Sequence, residues 1–453
     1  MVNVAKIFST LGNPNSLVPL GVKDLAGTTG MTVGSYVTGK EEGKDRLIDE
    51  VGTEFIWLLG IPTLKVLYNN TVFRALKLDS KFDPRNFNDK AIFQKIKEYA
   101  PDEKVKKSIE AIEKNERRFK NTAMARFVFS TALTIAGYIM LTKFKQKYTE
   151  KQIKQNLINE YNQQQAKIEN SDAGSAAVNK SEEKSENKQN PSFKGLGPII
   201  EGFVFSPVKN MWILEGAITT TRLKDSRSPQ EFIGYAIKEA FAWTFLYFAG
   251  KQIQDAVEKH ATTKYNKSIG LDARVLEGGE LQKAFKNGTI EKSLKDFAAV
   301  SAEGVPAVDM YEFLHKNPEN MIVKTAKQSD IIALYPKEKK WYQIFKKTEY
   351  TNKIDTRKYI DLEDVKGVES KIKELYSQYK EALKKGETTE KFFAGVKKLK
   401  RRSIVANIGS CALALGVISP GIMLAKRFLF KDDTEFQTKK DIREQLIEEG
   451  IIA

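Results

Sequence analysis

SIVANIGSCALALGVISPGIMLA, residues Ser403 to Ala425, runs 23 residues without a formal charge. A bilayer hydrocarbon core about 30 Å thick is crossed by roughly 20 predominantly apolar helical residues, so this stretch is long enough to span. Its ten Ile, Leu, Val and Met residues favour insertion by about 3 to 5 kcal/mol, more than Asn407 and Pro420 oppose it. Small residues recur every four positions, as Ala406, Ser410 and Ala414 and again as Ala412 and Gly416. Those faces would let a partner helix approach closely. Cys411, the single cysteine of the chain, lies inside the same stretch, which excludes an internal disulfide and disfavours a cysteine-based metal site.

Basic clusters flank the stretch, with Lys397, Lys398, Lys400, Arg401 and Arg402 before it and Lys426 and Arg427 after it. Juxtamembrane bases of this kind suit anionic lipid headgroups, at about 1 kcal/mol per residue. The whole chain repeats that balance: 453 residues carry a net charge of +16. With 29% charged residues and a mean hydropathy of −0.42, a membrane part must be a minority of the protein. Lysine supplies most of the positive charge, and no zinc-finger spacing, RNP-like strand or basic zipper accompanies it, which disfavours nucleic acid as a partner. His260 and His315 sit in Lys-rich surroundings and read as solvated surface residues. The N-terminal residues hold no continuous apolar run before Asn13 and Pro14, so no cleavable signal peptide is expected.

Working outward, residues 1–39 are rich in Gly, Thr and Ser and suggest irregular packing. From Lys40 the pattern becomes helical, with Leu47, Val51, Phe55, Leu58 and Leu59 on one face and Pro62 expected to kink or restart the helix. Residues 1–168 form a first helical half with hydrophobic helices at about 47–69 and 121–142. Residues 169–194 lack aromatics until Phe193, consist mostly of Ser, Asn, Lys, Glu, Gly and Ala, and read as a disordered linker. The second half then comprises membrane-associated helices at 195–256, a soluble α-rich insert at 257–370 with a strand near Trp341 to Tyr350, and an amphipathic helix leading into the span within 371–430. Residues 431–453 make an amphipathic tail.

The two halves share an order of parts. Glu54 precedes Trp57 and Glu239 precedes Trp243, each in an apolar helix, and each half ends in a hydrophobic run. The runs finish as Ile139-Met140-Leu141-Thr142-Lys143 and Ile422-Met423-Leu424-Ala425-Lys426. From Trp to that Ile is 82 residues in one half and 179 in the other, the difference corresponding to the soluble insert. The expected fold class is therefore mainly α: a helical membrane bundle, pseudo-twofold from an internal duplication, with Lys-rich amphipathic helices and a small α-rich soluble insert.

No Gly-rich phosphate loop, metal-ligand cluster or nucleophile–base arrangement has a local signature here, so no catalysis, cofactor or metal is expected. The first functional expectation is an integral membrane protein with a structural, scaffolding, partner-binding or anionic-lipid-binding role. A protein partner or a homo-oligomer would fit that role. Alternatives are a transporter or channel using Glu54 and Glu239 as paired intramembrane carboxylates, and a membrane-disrupting or pore-forming helical protein. Both flanks of the expected spans are basic, so charge does not orient them, and nothing specifies which membrane.

Overall fold

Glycine every third or fourth position is a poor soluble helix but a good close-contact face, and this is how the N-terminal segment is used. A computed structural model describes residues 4–13, 16–168, 207–226, 229–337, 348–430 and 434–452. In it Val4–Leu11 and Val18–Thr38 are helices, not the irregular segment that their composition suggests. A Cβ added at Gly30 would collide with the backbone of Gly416, and one added at Gly416 would lie 2.8 Å from the Ala26 carbonyl oxygen. The main hydrophobic stretch thus packs backbone to backbone against Val18–Thr38, and Gly416 is the small residue that permits it.

The described residues are mostly helical and divide into two compact units. The first comprises Met1–Leu20, Lys65–Val128 and Ala249–Ser410, the second Gly21–Leu64, Phe129–Phe248 and Cys411–Ala453. Three helical stretches, Gly43–Phe73, Glu116–Gln165 and Thr389–Lys426, are long and apolar enough to cross a membrane. The expected linker at 169–194 lies outside the described residues, as do positions 341–347 of the strand expected near Trp341 to Tyr350.

The first unit is built like a soluble domain. Phe82, Ile96, Ile109, Ile112 and Phe119 from one part of the chain share a single core with Ile290, Phe297, Leu314, Ile372 and Phe392 from another. Each is at most 1% exposed. The helices start on side-chain caps: Asp89 accepts from the Ala91 and Ile92 N–H groups, and Asp102 from Val105, which satisfies donors that no helical carbonyl can reach. A two-stranded antiparallel hairpin, Leu334–Pro336 with Tyr350–Ile354, is added to this helical core. His260 is exposed. His315 departs from the solvated reading: its ring stacks on Tyr99 at 4.5 Å, 12° from parallel, and its Nε2 is buried without a partner among the described residues.

The second unit is built the other way round. Leu47, Val51, Phe55 and Leu59 do form one stripe, but they are 40 to 66% exposed, while Asp45, Arg46, Asp49, Glu50 and Thr53 of the same helix are buried. Along Glu116–Ile168 the inward positions are Ser130, Thr134, Tyr138, Thr142, Lys145 and Thr149, all buried. Met140 is 70% exposed and Phe144 60%. A polar stripe at spacings of three and four marks one helix face, and here that face turns inward. Short π-helical segments at Ile56–Gly60 and Ala414–Ile418 immediately precede Pro62 and Pro420. Each proline lacks the N–H that would bond the carbonyl four residues back, and the wider turn absorbs the defect. The tail packs Ile442 and Leu446 on Ile153, with Lys154 paired to Glu449 at 2.8 Å.

Candidate functional site

The second unit buries six carboxyl side chains, Asp45, Asp49, Glu50, Glu215, Glu231 and Glu239, and four bases, Lys23, Arg46, Lys145 and Arg222, with Asp24, Glu54 and Lys238 half-buried beside them. Charges out of water are tolerable only when paired and hydrogen-bonded, and most of these are. Arg222 lies at the hub. Its guanidinium reaches Glu239 at 2.6 Å, Asp49 at 3.2 Å and the Thr53 hydroxyl at 3.2 Å, with Glu50 at 3.8 Å. Lys238 donates to both oxygens of Glu50 at 2.7 Å. Lys145 lies 3.6 Å from Asp45 and 3.8 Å from Asp49, and donates to the Tyr235 hydroxyl at 3.0 Å. The Arg46 guanidinium sits over the Tyr235 ring at 5.1 Å.

Glu54 and Glu239, the two acids singled out in the sequence, both belong to this interior and are held alike. Thr28 donates to Glu54 at 3.1 Å and Thr219 donates to Glu239 at 2.9 Å. Each threonine follows an acid by four residues on the helix preceding the Glu–Trp helix: Asp24 and Thr28 in Val18–Thr38, Glu215 and Thr219 in Pro207–Lys224. Each Glu–Trp helix passes into a π-helical segment at its Trp, over Ile56–Gly60 and Trp243–Phe248. The acid-x-x-x-Thr pairs escaped the sequence reading because residues 1–39 were not read as helix; the four-residue spacing was the available signal.

The two sites differ in charge. Three positions after Thr219 stands Arg222, the clamp on Glu239; three positions after Thr28 stands Met31. Glu54 has no base at that position, and the Asp24 carboxyl lies beside it instead. Among the described residues no group of three His, Cys, Asp or Glu side chains is placed to hold a metal ion.

The basic residues preceding the hydrophobic stretch split in use. Lys400 is 5% exposed, and its ammonium donates to Glu258 at 3.1 Å and to the Ile269 carbonyl at 2.9 Å. It therefore braces the first unit and does not reach solvent. Arg401 is paired with Glu277 at 2.7 and 2.8 Å and lies over the Phe8 ring at 5.6 Å. Lys397, Lys398 and Arg402 line an open groove of about 740 Å³ with Phe8, Val405 and Ala406. Lys426 is half-buried, and the Arg427 side chain lies outside the described residues. Ala414 is buried and Ala412 half-buried. Ala406 and Ser410 are half-buried on one helix, where the Ser410 hydroxyl donates to the Ala406 carbonyl. Cys411 is buried and contacts Lys23.

No family model, curated protein or solved structure matches the chain.

Proposed function

We propose that the second unit is a membrane-embedded helical bundle, pseudo-twofold by duplication, that passes a proton or a small cation through its polar interior by way of Asp24 and Glu54. The membrane reading is supported by the inverted burial, with apolar side chains outside and charges inside. An intramembrane carboxyl is costly and is retained where it has a task. The duplication is supported by the matched Asp24–Thr28–Glu54 and Glu215–Thr219–Glu239 sets, in the manner of repeat-built carriers.

The observation that carries the transport reading is the asymmetry of those sets. Glu239 is neutralised by Arg222 and serves as a fixed strut. The Asp24–Glu54 carboxyl pair has no clamp of that kind, and in our reading it is the position that takes up and releases the proton or cation. Purified full-length protein, carbonate-resistant in its membrane fraction, would be reconstituted into liposomes with a pH-sensitive dye inside. Proton or monovalent-cation flux is expected and should fall at least tenfold in Glu54→Gln. Liposomes no more permeable than empty ones, or equal flux in wild type and Glu54→Gln, would refute it.

A second reading, a structural anchor that recognises anionic lipid, is favoured by the groove of Lys397, Lys398 and Arg402 over Phe8 and Val405, because bases above an apolar floor match a phosphate on an acyl chain. An unaltered permeability in the flux experiment would leave this as the function.

A further inference from the structure

The first unit holds a feature that neither reading uses. Where the hairpin meets the helical core, residues from four separate segments surround an open cleft of about 1250 Å³. Its bases include Lys77, Lys81, Lys104, Lys327, Arg357 and Lys358, and its acids are Asp79, Asp330 and Asp355. Every one of those acids is already engaged. Asp355 accepts from Arg357 twice at 2.8 Å, Asp79 takes Arg357 at 3.3 Å, and Asp330 is paired with Arg274. Lys77, Lys81, Lys327 and Lys358 form no ion pair among the described residues. Three exposed lysines, Lys77, Lys81 and Lys358, and the half-buried Lys327 therefore line one cavity without an ion pair of their own.

This concentration is not what an ordinary solvated lysine face would give. Surface lysines on a helix usually find carboxylates at three or four residues, as Lys120 does with Glu116 and Lys366 with Glu363. Like charges gathered in a concavity repel one another, and a low-dielectric wall intensifies the field they produce. Burial pushes the Lys327 ammonium below the ordinary lysine range, more than the attraction of Glu319 restores it. The backbone is strained at the same place. Of three non-glycine residues with left-handed backbone among those described, Lys77 at φ 55° and Asp330 at φ 57° both line the cleft. Such conformations cost about 1 kcal/mol or more and persist where the surroundings hold them. Arg357 lies over the Tyr335 ring at 5.2 Å, and that tyrosine donates to Asp102 at 2.7 Å, so the aromatic wall is fixed.

We infer that this cleft is a binding site for a ligand bearing several phosphate groups, held by Lys77, Lys81, Lys327 and Lys358 against the Tyr335 wall. Flexible ammonium groups suit clustered phosphates as point charges. The cavity is large enough for a small phosphorylated molecule. The same chemistry could be presented free in solution or on a phosphoinositide headgroup.

The test uses the full chain in detergent, titrated calorimetrically with inorganic tripolyphosphate at two salt concentrations. One saturable site is expected, weakening steeply with salt, and at least tenfold weaker in Lys81→Glu/Lys358→Glu. A control pair on the exposed face of Thr289–Ser301, Lys292→Glu/Lys295→Glu, should bind as the wild type does, and both variants should keep the unfolding midpoint. Binding to phosphoinositide vesicles that is lost in the same variant would assign the source to lipid; binding to tripolyphosphate alone would assign it to a soluble ligand. Absence of saturation with either probe, an equal loss in both pairs, or retention only of oligonucleotides with affinity rising with their length would overturn the site.

Discussion

Replacing Arg222 by methionine keeps much of the side-chain volume and removes the charge at the hub of the second unit. Three carboxylates feel the change unequally. Asp49 retains Lys145 at 3.8 Å and Glu50 retains Lys238 at 2.7 Å. Glu239, 2% exposed, loses the 2.6 Å guanidinium contact and keeps the Thr219 hydroxyl at 2.9 Å. A buried pair broken from one side costs about 3 to 5 kcal/mol, because the remaining charge is left without compensation. For a unit of this size that corresponds to a fall of about 6 to 20 °C in the unfolding midpoint. Thermal unfolding followed by tryptophan fluorescence in detergent would read it through Trp57 and Trp243, which both lie in this unit. Adding Glu239→Gln should restore most of the loss, since the orphaned charge is then gone and an amide can still accept from Thr219. A shift below about 2 °C, or a double variant no more stable than Arg222→Met alone, would show that the ion-paired hub does not hold the unit together.

The close approach of Val18–Thr38 to the main hydrophobic stretch makes a paired prediction about two glycines. Gly30→Ala forces a methyl onto the Gly416 backbone, which cannot move aside as a side chain can, and should cost about 1 to 3 kcal/mol. Gly137→Ala meets nothing within 4 Å and should be neutral or stabilising by up to about 1 kcal/mol through helix propensity; equal effects in a detergent unfolding series would refute the contact. In the first unit, burial pushes His315 down to about 4 from an ordinary 6.5. The folded state therefore resists protonation, full stability is present above pH 6.5, and about 3 kcal/mol is lost as pH falls from 6.5 to 4. His315→Phe, which can keep the stack on Tyr99, should flatten that slope in unfolding measurements at pH 7.5 and 4.5, and an unchanged slope would place the acid sensitivity elsewhere.

Much of the helical content was legible because hydrophobic period and uncharged length are local properties. The three stretches able to span stand out by composition alone. The N-terminal helix did not, because Gly21, Gly27, Gly30 and Gly34 read as loop-formers in water; only Leu58, Leu415, Gly416 and Pro420 beside them turn the missing Cβ atoms into contacts. His315 was read as solvated because its neighbours in sequence are charged, while its neighbours in space are Tyr99 and Tyr311. Lys400 was indistinguishable from Lys397 and Lys398 until Glu258 and the Ile269 carbonyl were seen beside it.

By itself the sequence determined that helices carry two unlike faces, that Glu54 and Glu239 stand in comparable settings, and that lysine outnumbers acid over the chain. It could not say which face of each helix turns inward, because a period of 3.6 residues specifies a stripe and not its direction. Tertiary structure decided that, by giving Asp45, Asp49, Lys145, Arg222 and Glu239 one another as partners. It separated Glu54 from Glu239 by supplying a guanidinium to one and a second carboxyl to the other. The physical reason is common to all of these: a charge can be buried only where another chain segment compensates it, and that segment may lie 173 residues away, as Arg222 lies from Asp49.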